Sequence, residues 1–230
     1  VKTFRVIDFE TTDLPPNAKV IEYGVTDLKW EGNSMTVGDP WSTYCNPNVP
    51  IAPGAKAVHH IEERDLLGHP HPDEVLANFE DGADYIIAHN LKFELNFVTP
   101  SVPTICTLKC ARQLIPDAKQ HTNQYLRYFL DLPVEREKAT PAHAAGPDTY
   151  VTAHLLKHLL MISAKMGGDF VGRLVEISNS MMLVTIPFGK YRGMKFSEIA
   201  RIDRKYMIWM RDNTTEAEVR ATAEHWLNQR

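Results

Sequence analysis

Thr3-Phe4-Arg5-Val6-Ile7-Asp8-Phe9-Glu10 opens the chain with an apolar run that passes into two acids. Residues 3–8 read as a largely buried strand that ends at the acids. Side chains alternate along a strand, so Asp8 and Glu10 project to one side and Phe9 to the other. Two more strand patterns follow, at residues 20–30 and 35–45, with Glu31-Gly32-Asn33-Ser34 as the turn between them. The sheet therefore begins as a meander. Tyr85-Ile86-Ile87-Ala88 is a further compact strand, and it runs into His89-Asn90 and a helix predicted through Val98. Helical patterns occupy residues 73–80, 108–114, 122–130 and 147–166, and in the last Val151, Leu155, Leu159 and Ile162 fall near one face. Strands first and helices mainly later predict an α/β fold, a mixed sheet layered with helices rather than a strict doubly wound repeat.

Residues 169–182 read as a helix-like linker after Gly167-Gly168, with a boundary near Asn179. A fresh strand pattern, Leu183-Val184-Thr185-Ile186, then leads into Phe188-Gly189-Lys190-Tyr191-Arg192-Gly193. The division is thus a larger domain over 1–168, the linker, and a small α+β module over 183–230. The 230 residues are 43% hydrophobic and 23% charged, ordinary for a globular protein of this size. No apolar run is long enough to cross a membrane and no signal-peptide pattern opens the chain, which predicts a cytoplasmic protein. Cys45, Cys106 and Cys110 are too few for a disulfide framework, and they read as buried thiols in a reducing compartment. The net charge of -4 hides a division: residues 183–230 hold nine Lys and Arg against six Asp and Glu, leaving 16 against 23 elsewhere. An acidic main domain and a basic tail suit carboxylates that gather metal beside cations that grip a polyanion.

Carboxylate oxygens select hard cations such as Mg²⁺ and Mn²⁺, and a pair of such ions about 3.5–4 Å apart suits phosphodiester hydrolysis. Asp-x-Glu alone is a weak signal, because acidic strand ends are common. A second feature lies far downstream, in His143-Ala144-Ala145-Gly146-Pro147-Asp148. There Pro147 would enter a helix that holds Asp148 rigidly, while His143 sits on the flexible approach, as a proton acceptor should. The plainer reading of these two is a helix-capping acid and a surface histidine.

Three segments taken together resemble a known family: Val6-Ile7-Asp8-Phe9-Glu10-Thr11-Thr12, Ala88-His89-Asn90-Leu91-Lys92-Phe93-Glu94, and His143 to Asp148. In this order and separation they are similar to the three motifs of the DEDDh 3′–5′ exonucleases, the DnaQ-like or RNase T superfamily with its RNase H-like fold. The resemblance covers roughly residues 3–160. The segment from Phe188 to Gly193, with Glu198, Ile199, Tyr206 and Trp209 after it, resembles the small C-terminal module of exonuclease X-type nucleases.

The resemblance implies that Asp8, Glu10, Glu94 and Asp148 hold two Mg²⁺ or Mn²⁺ and that His143 takes the proton from the attacking water. Thr11, Thr12 and Leu14 would lie near the terminal nucleotide, with Leu14 a wedge against the last base. Asn90 would be substrate-adjacent. His59-His60-Ile61 sits where relatives carry a His-Gly-Ile-like loop, and His59 reads either as a substrate contact or as a hydrogen-bonded loop histidine. Lys190, Tyr191 and Arg192 would offer a cationic, aromatic surface to nucleic acid, or else a tight turn over a small core. Glu94 stands where the family has aspartate, a methylene longer by about 1.5 Å. The expected partner is a nucleic-acid 3′ end, single-stranded DNA foremost, in a bacterial or phage-infected cell. Neither a membrane nor an obligate protein partner is implied, and a homodimer stays open. The competing readings are a silent end-binding module and a phosphatase that is phosphorylated on Asp8.

Overall fold

The computed structural model describes residues 1–229. Its sheet is built on β1 (Lys2–Thr11) and β2 (Val20–Glu31), antiparallel partners in which Asp8 lies opposite Gly24 and Glu10 opposite Glu22. β1 continues past Asp8 and Glu10 to Thr11, so the acid pair sits within the strand rather than at its end. The pattern at 35–45 divides into β3 (Ser34–Val37) and β4 (Trp41–Tyr44), both paired with β2. Gly38-Asp39-Pro40 interrupts it, with Pro40 lacking the amide that a continuous ladder needs. β5 (Tyr85–Ala88) and β6 (Thr104–Cys106) add on the other edge, parallel to β1 and to each other. The order is β3-β2-β1-β5-β6, with β4 also on β2. This is the mixed sheet expected from the sequence. β6 escapes sequence reading because three residues are too few to show a period.

The even residues of β1 and β2 face the long helix α5 (Ala145–Lys165). Phe4, Val6 and Leu28 join Ala153, Leu155, Leu156, Leu159 and Leu160 in one buried cluster, each leucine worth roughly 1.5–3 kcal/mol on burial. The odd residues Ile7 and Phe9 go to the opposite face with Tyr23, Ile86 and Ala88. Gly24 is required where α5 crosses β2, because a Cβ there would collide with the Ala145 carbonyl. Thr26 and Thr149 hydrogen-bond at 2.8 Å one turn further along, so helix and strand are held in register. Asp8 and Glu10 lie on this same side, where the apolar layer under α5 gives way to a cleft.

Two short helices, α1 (Pro53–His59) and α2 (Pro72–Leu76), precede β5, and α3 (Thr107–Leu114) and α4 (Asn123–Phe129) follow β6. The residues expected as a linker contain α6 (Phe170–Asn179), whose Val171, Leu174 and Ile177 belong to the cluster under α5. That stretch is therefore part of the larger core. Beyond it, the strand expected at 183–186 is reduced to one bridge, Thr185 to Lys195. Three helices, α7 (Phe196–Ile202), α8 (Arg204–Asn213) and α9 (Ala217–Asn228), surround a separate small core that includes Ile186, Phe196, Met207, Met210 and Val219. Lys109 of α3 fastens this module to the main domain, bonding Glu218 at 2.6 Å and the Ser178 and Ser180 carbonyls at 2.9 and 3.0 Å. The three cysteines are free and buried, and no described helix is long and apolar enough to cross a membrane.

Candidate active site

Asp8 and Glu10 of β1 and Asp148 of α5 each offer a carboxylate oxygen, and these three lie within 4.8 Å of one another. They form the floor of a cleft of about 480 Å³, lined also by Thr11, Asp13, Leu14, His59, His89, Asn90, Phe93, Glu94 and His143. No Lys or Arg lines it among the described residues. α5 starts at Ala145, so Pro147 and Asp148 are already inside its first turn rather than at its entrance. Asp148 is held at both oxygens: Gln124 Nε2 donates to Oδ1 at 3.1 Å and the His143 amide to Oδ2 at 3.0 Å. Asn123 Nδ2 adds a bond to the Asp148 carbonyl at 3.0 Å. α4 is thus the support of Asp148.

Glu22 is a second support that local pattern does not show. It is buried, lies opposite Glu10 on β2, and its Oε2 accepts the Ala145 amide at 3.1 Å. A carboxylate there satisfies one of the free amides at the start of α5 and complements the positive end of the helix dipole. Neither Glu22 nor Gln124 is detectable by spacing, because each meets its partner across more than twenty residues of chain.

Glu94 arrives by a different route. The helix expected from His89 to Val98 is instead a set of turns closing in a 3₁₀ segment, Glu94–Asn96, which brings Glu94 in behind Asp8. Glu94 is only 2% exposed, and its Oε2 has no hydrogen-bond partner. It stands outside the tight group of three. Burial foremost, then the charges of Glu94, Asp148, Glu10 and Glu22, drive the Asp8 carboxyl well above the usual carboxylate range. Burial, with Glu22 and Asp148 after it, pushes Glu10 up to about 8, and burial also raises Glu94. So many acids are held together without a counter-charge at a cost that a bound cation removes. The oxygen-only donor set and the orphaned Glu94 oxygen fit a hard divalent ion.

His143 is exposed on the bend before α5, with a positive φ of 60°, and its ring makes no hydrogen bond among the described residues. Its backbone is anchored to Asp148 while its ring is free to turn. Leu14 is 74% exposed at the cleft rim. Thr11 lines the cleft, but Thr12 does not; its hydroxyl accepts the Lys19 amide at 3.0 Å. His59 lines the wall, yet both ring nitrogens are engaged: the Ile61 amide donates to Nδ1 at 3.0 Å, which leaves Nε2 to donate to the Thr11 carbonyl at 3.2 Å. Asn90, at φ 79°, lines the cleft beside His89. Lys190 and Tyr191 lie away from it. Lys190 pairs with Asp203 at 2.8 Å and Tyr191 donates to the same oxygen at 3.0 Å, over a turn where Gly189 leaves room for the Tyr206 hydroxyl. The Lys190 charge is therefore committed within the module, and Arg192 alone of the three faces a groove.

Comparison with known proteins agrees with this geometry. Residues 6–156 match the exonuclease family model, and residues 186–214 match the exodeoxyribonuclease X-like C-terminal model. Exodeoxyribonuclease 10 of Escherichia coli strain K12 is 32% identical over 230 residues, covering 97% of this chain and 98% of its own. A PolC-type DNA polymerase III from Clostridium perfringens is 30% identical over 166 residues, 67% of this chain but 11% of that one. Among solved structures, exonuclease X in complex with 5′ overhanging duplex DNA superposes with a TM-score of 0.64 at 26% identity, covering 76% of this chain and 99% of that one. On these matches the chain belongs to the exonuclease family.

Proposed function

We propose that this exonuclease removes nucleoside monophosphates from the 3′ ends of DNA in the cytoplasm, using two Mg²⁺ or Mn²⁺ held by Asp8, Glu10, Asp148 and Glu94. The observation that carries this reading is the half-buried cluster of carboxylates beside an unpartnered, buried Glu94 oxygen, with no lysine or arginine among the described residues to neutralise it. Bound there, divalent cations would supply positive charge to the phosphoryl group and ease the ionisation of water. The chain's own residues do the remainder. Gln124 and the His143 amide keep Asp148 aimed into the cleft, and Glu22 keeps the first turn of α5 on the sheet. The His143 ring accepts the proton of the attacking water and can swing outward to release it. Leu14, apolar and exposed at the rim, packs against the last base, and Thr11 and Asn90 border the terminal nucleotide. His59 acts by fixing the Thr11 carbonyl. Residues 1–179, α6 included, make the catalytic unit, and the module after it is an accessory to binding.

A single DNA strand labelled at its 5′ end, incubated with the protein and Mg²⁺ or Mn²⁺, should give a ladder that shortens from the 3′ end and stops on chelation. Single-stranded DNA is the expected preferred form. Immediate release of the 5′ label, or binding without shortening at any protein concentration, would overturn the reading.

A further inference from the structure

The catalytic cleft does not end at His89 and Asn90. Both residues also line a second groove of about 400 Å³, which runs between the main domain and the C-terminal module. Its walls are α3 with Leu108 and Arg112, residues 119–123, and Thr185 to Pro187 with Arg192 and Gly193 from the module. No carboxylate lines it among the described residues. Three cations do: Arg112, Lys119 and Arg192.

None of these three makes an ion pair or a side-chain hydrogen bond among the described residues. Three other cations of α3 and the module are paired. Lys109 is paired with Glu218, Lys190 with Asp203 and Arg211 with Asp212. Arg112 is half-buried, and burial first, with the Arg192 charge also opposing it, lowers its affinity for a proton; Glu216 and Glu218 oppose that lowering without pairing with it. Like charges from two domains are thus brought to one groove and left without a counter-ion. That arrangement costs folding energy which a polyanion would recover. The wall common to both cavities is rigid. His89 is partly buried, donates from Nε2 to the His121 carbonyl at 2.8 Å, and accepts at Nδ1 from the Thr107 hydroxyl at 2.9 Å.

We infer that the groove between α3 and the C-terminal module, lined by Arg112, Lys119 and Arg192, holds the phosphodiester backbone of the DNA strand behind the nucleotide being removed. The inference rests on the exonuclease reading and extends it from the terminal nucleotide to the strand that follows. The module is then what makes affinity grow with strand length, and a grip exerted by cations on phosphate is independent of base sequence.

The test is kcat/KM on 5′-labelled single strands, from a dinucleotide up to roughly 4 to 16 nucleotides, at several salt concentrations. Arg192→Gln and Arg112→Gln are compared with wild type and with Lys205→Gln, an exposed module cation outside the groove. The wild-type value should rise with length. Each groove variant should lose about 5- to 10-fold on the longest strand and less than twofold on the dinucleotide, and its salt slope should shrink by about 0.7 per charge removed. Lys205→Gln should match wild type. Equal losses at every length, or an unchanged salt slope in both variants, would overturn the inference. So would a loss confined to Arg112→Gln with a lowered melting temperature, since that marks a purely structural arginine. Failure of the exonuclease reading looks different: wild type itself would shorten no strand.

Discussion

The acidic cleft and the basic groove share His89 and Asn90, and their chemistry is opposite. Among the described residues, one is lined by Asp8, Glu10, Asp13, Glu94 and Asp148 with no lysine or arginine; the other by Arg112, Lys119 and Arg192 with no carboxylate. A net charge of -4 conceals both. The separation has a physical reason. An arginine within reach of Asp8 would form a buried pair and compete with any metal for the same oxygens, while a carboxylate beside Arg112 would consume the charge needed for a phosphate. Two ungratified charge clusters, kept apart by a neutral histidine, are worth more for binding than their sum after neutralisation.

The comparison can be broken most sharply in the cleft. Asp8→Ala should lower kcat by roughly 10⁴-fold, and His143→Ala by about 10²–10⁴-fold, in single-turnover assays at saturating Mg²⁺. Both losses should be the same for a dinucleotide and a long strand, unlike those of the groove variants. A His143→Ala enzyme of ordinary rate would remove the histidine from the chemistry.

A smaller effect is expected from the helix behind the cleft. Gln124→Leu should cost about 10–100-fold, chiefly as a higher metal concentration for half-maximal rate, because the bond at Asp148 Oδ1 is lost while the acid remains. An unchanged metal requirement would show that the His143 amide alone positions Asp148.

The smallest effect is on stability and needs no substrate. Glu10 has an ordinary value of 4.5 and is pushed up to about 8 in the fold, chiefly by burial, with Asp8 and Glu94 raised alongside it. Between those limits the folded protein binds more protons than the unfolded chain, so raising the pH destabilises it. The penalty is absent below about pH 4.5 and complete above about pH 8. Melting in a chelator should therefore drop by a few degrees, roughly 2–4 °C per kcal/mol, as pH rises through that window, and Mg²⁺ should restore it. A flat melting curve would mean that the acids are better solvated than their burial indicates.

Much of the architecture is local and so was legible in sequence. Alternation put Asp8 and Glu10 on one side of β1, and the three- and four-residue steps of α5 located the helix that carries Asp148 to within two residues at its start. α6 was also visible as a helix at 170–179, yet nothing local showed that Val171, Leu174 and Ile177 join the main core, which is why it read as a linker. The expected helix after His89 is instead a set of turns: Asn90 takes a positive φ of 79°, outside the helical region, and Phe93 and Phe97 pack on the cluster that holds Phe9.

By itself the sequence determined which residues carry charge, which side of a strand each acid faces, and where the long helix runs, since these follow from backbone periodicity over a few residues. Only the tertiary structure decided which charges remain free. Lys190 and Arg192 are two residues apart and indistinguishable in sequence, but Asp203 reaches one and leaves the other facing Arg112 across the groove. Glu22 and Gln124 likewise acquire their roles from partners 123 and 24 residues away. Electrostatic pairing depends on distance through space, and only the folded chain sets it.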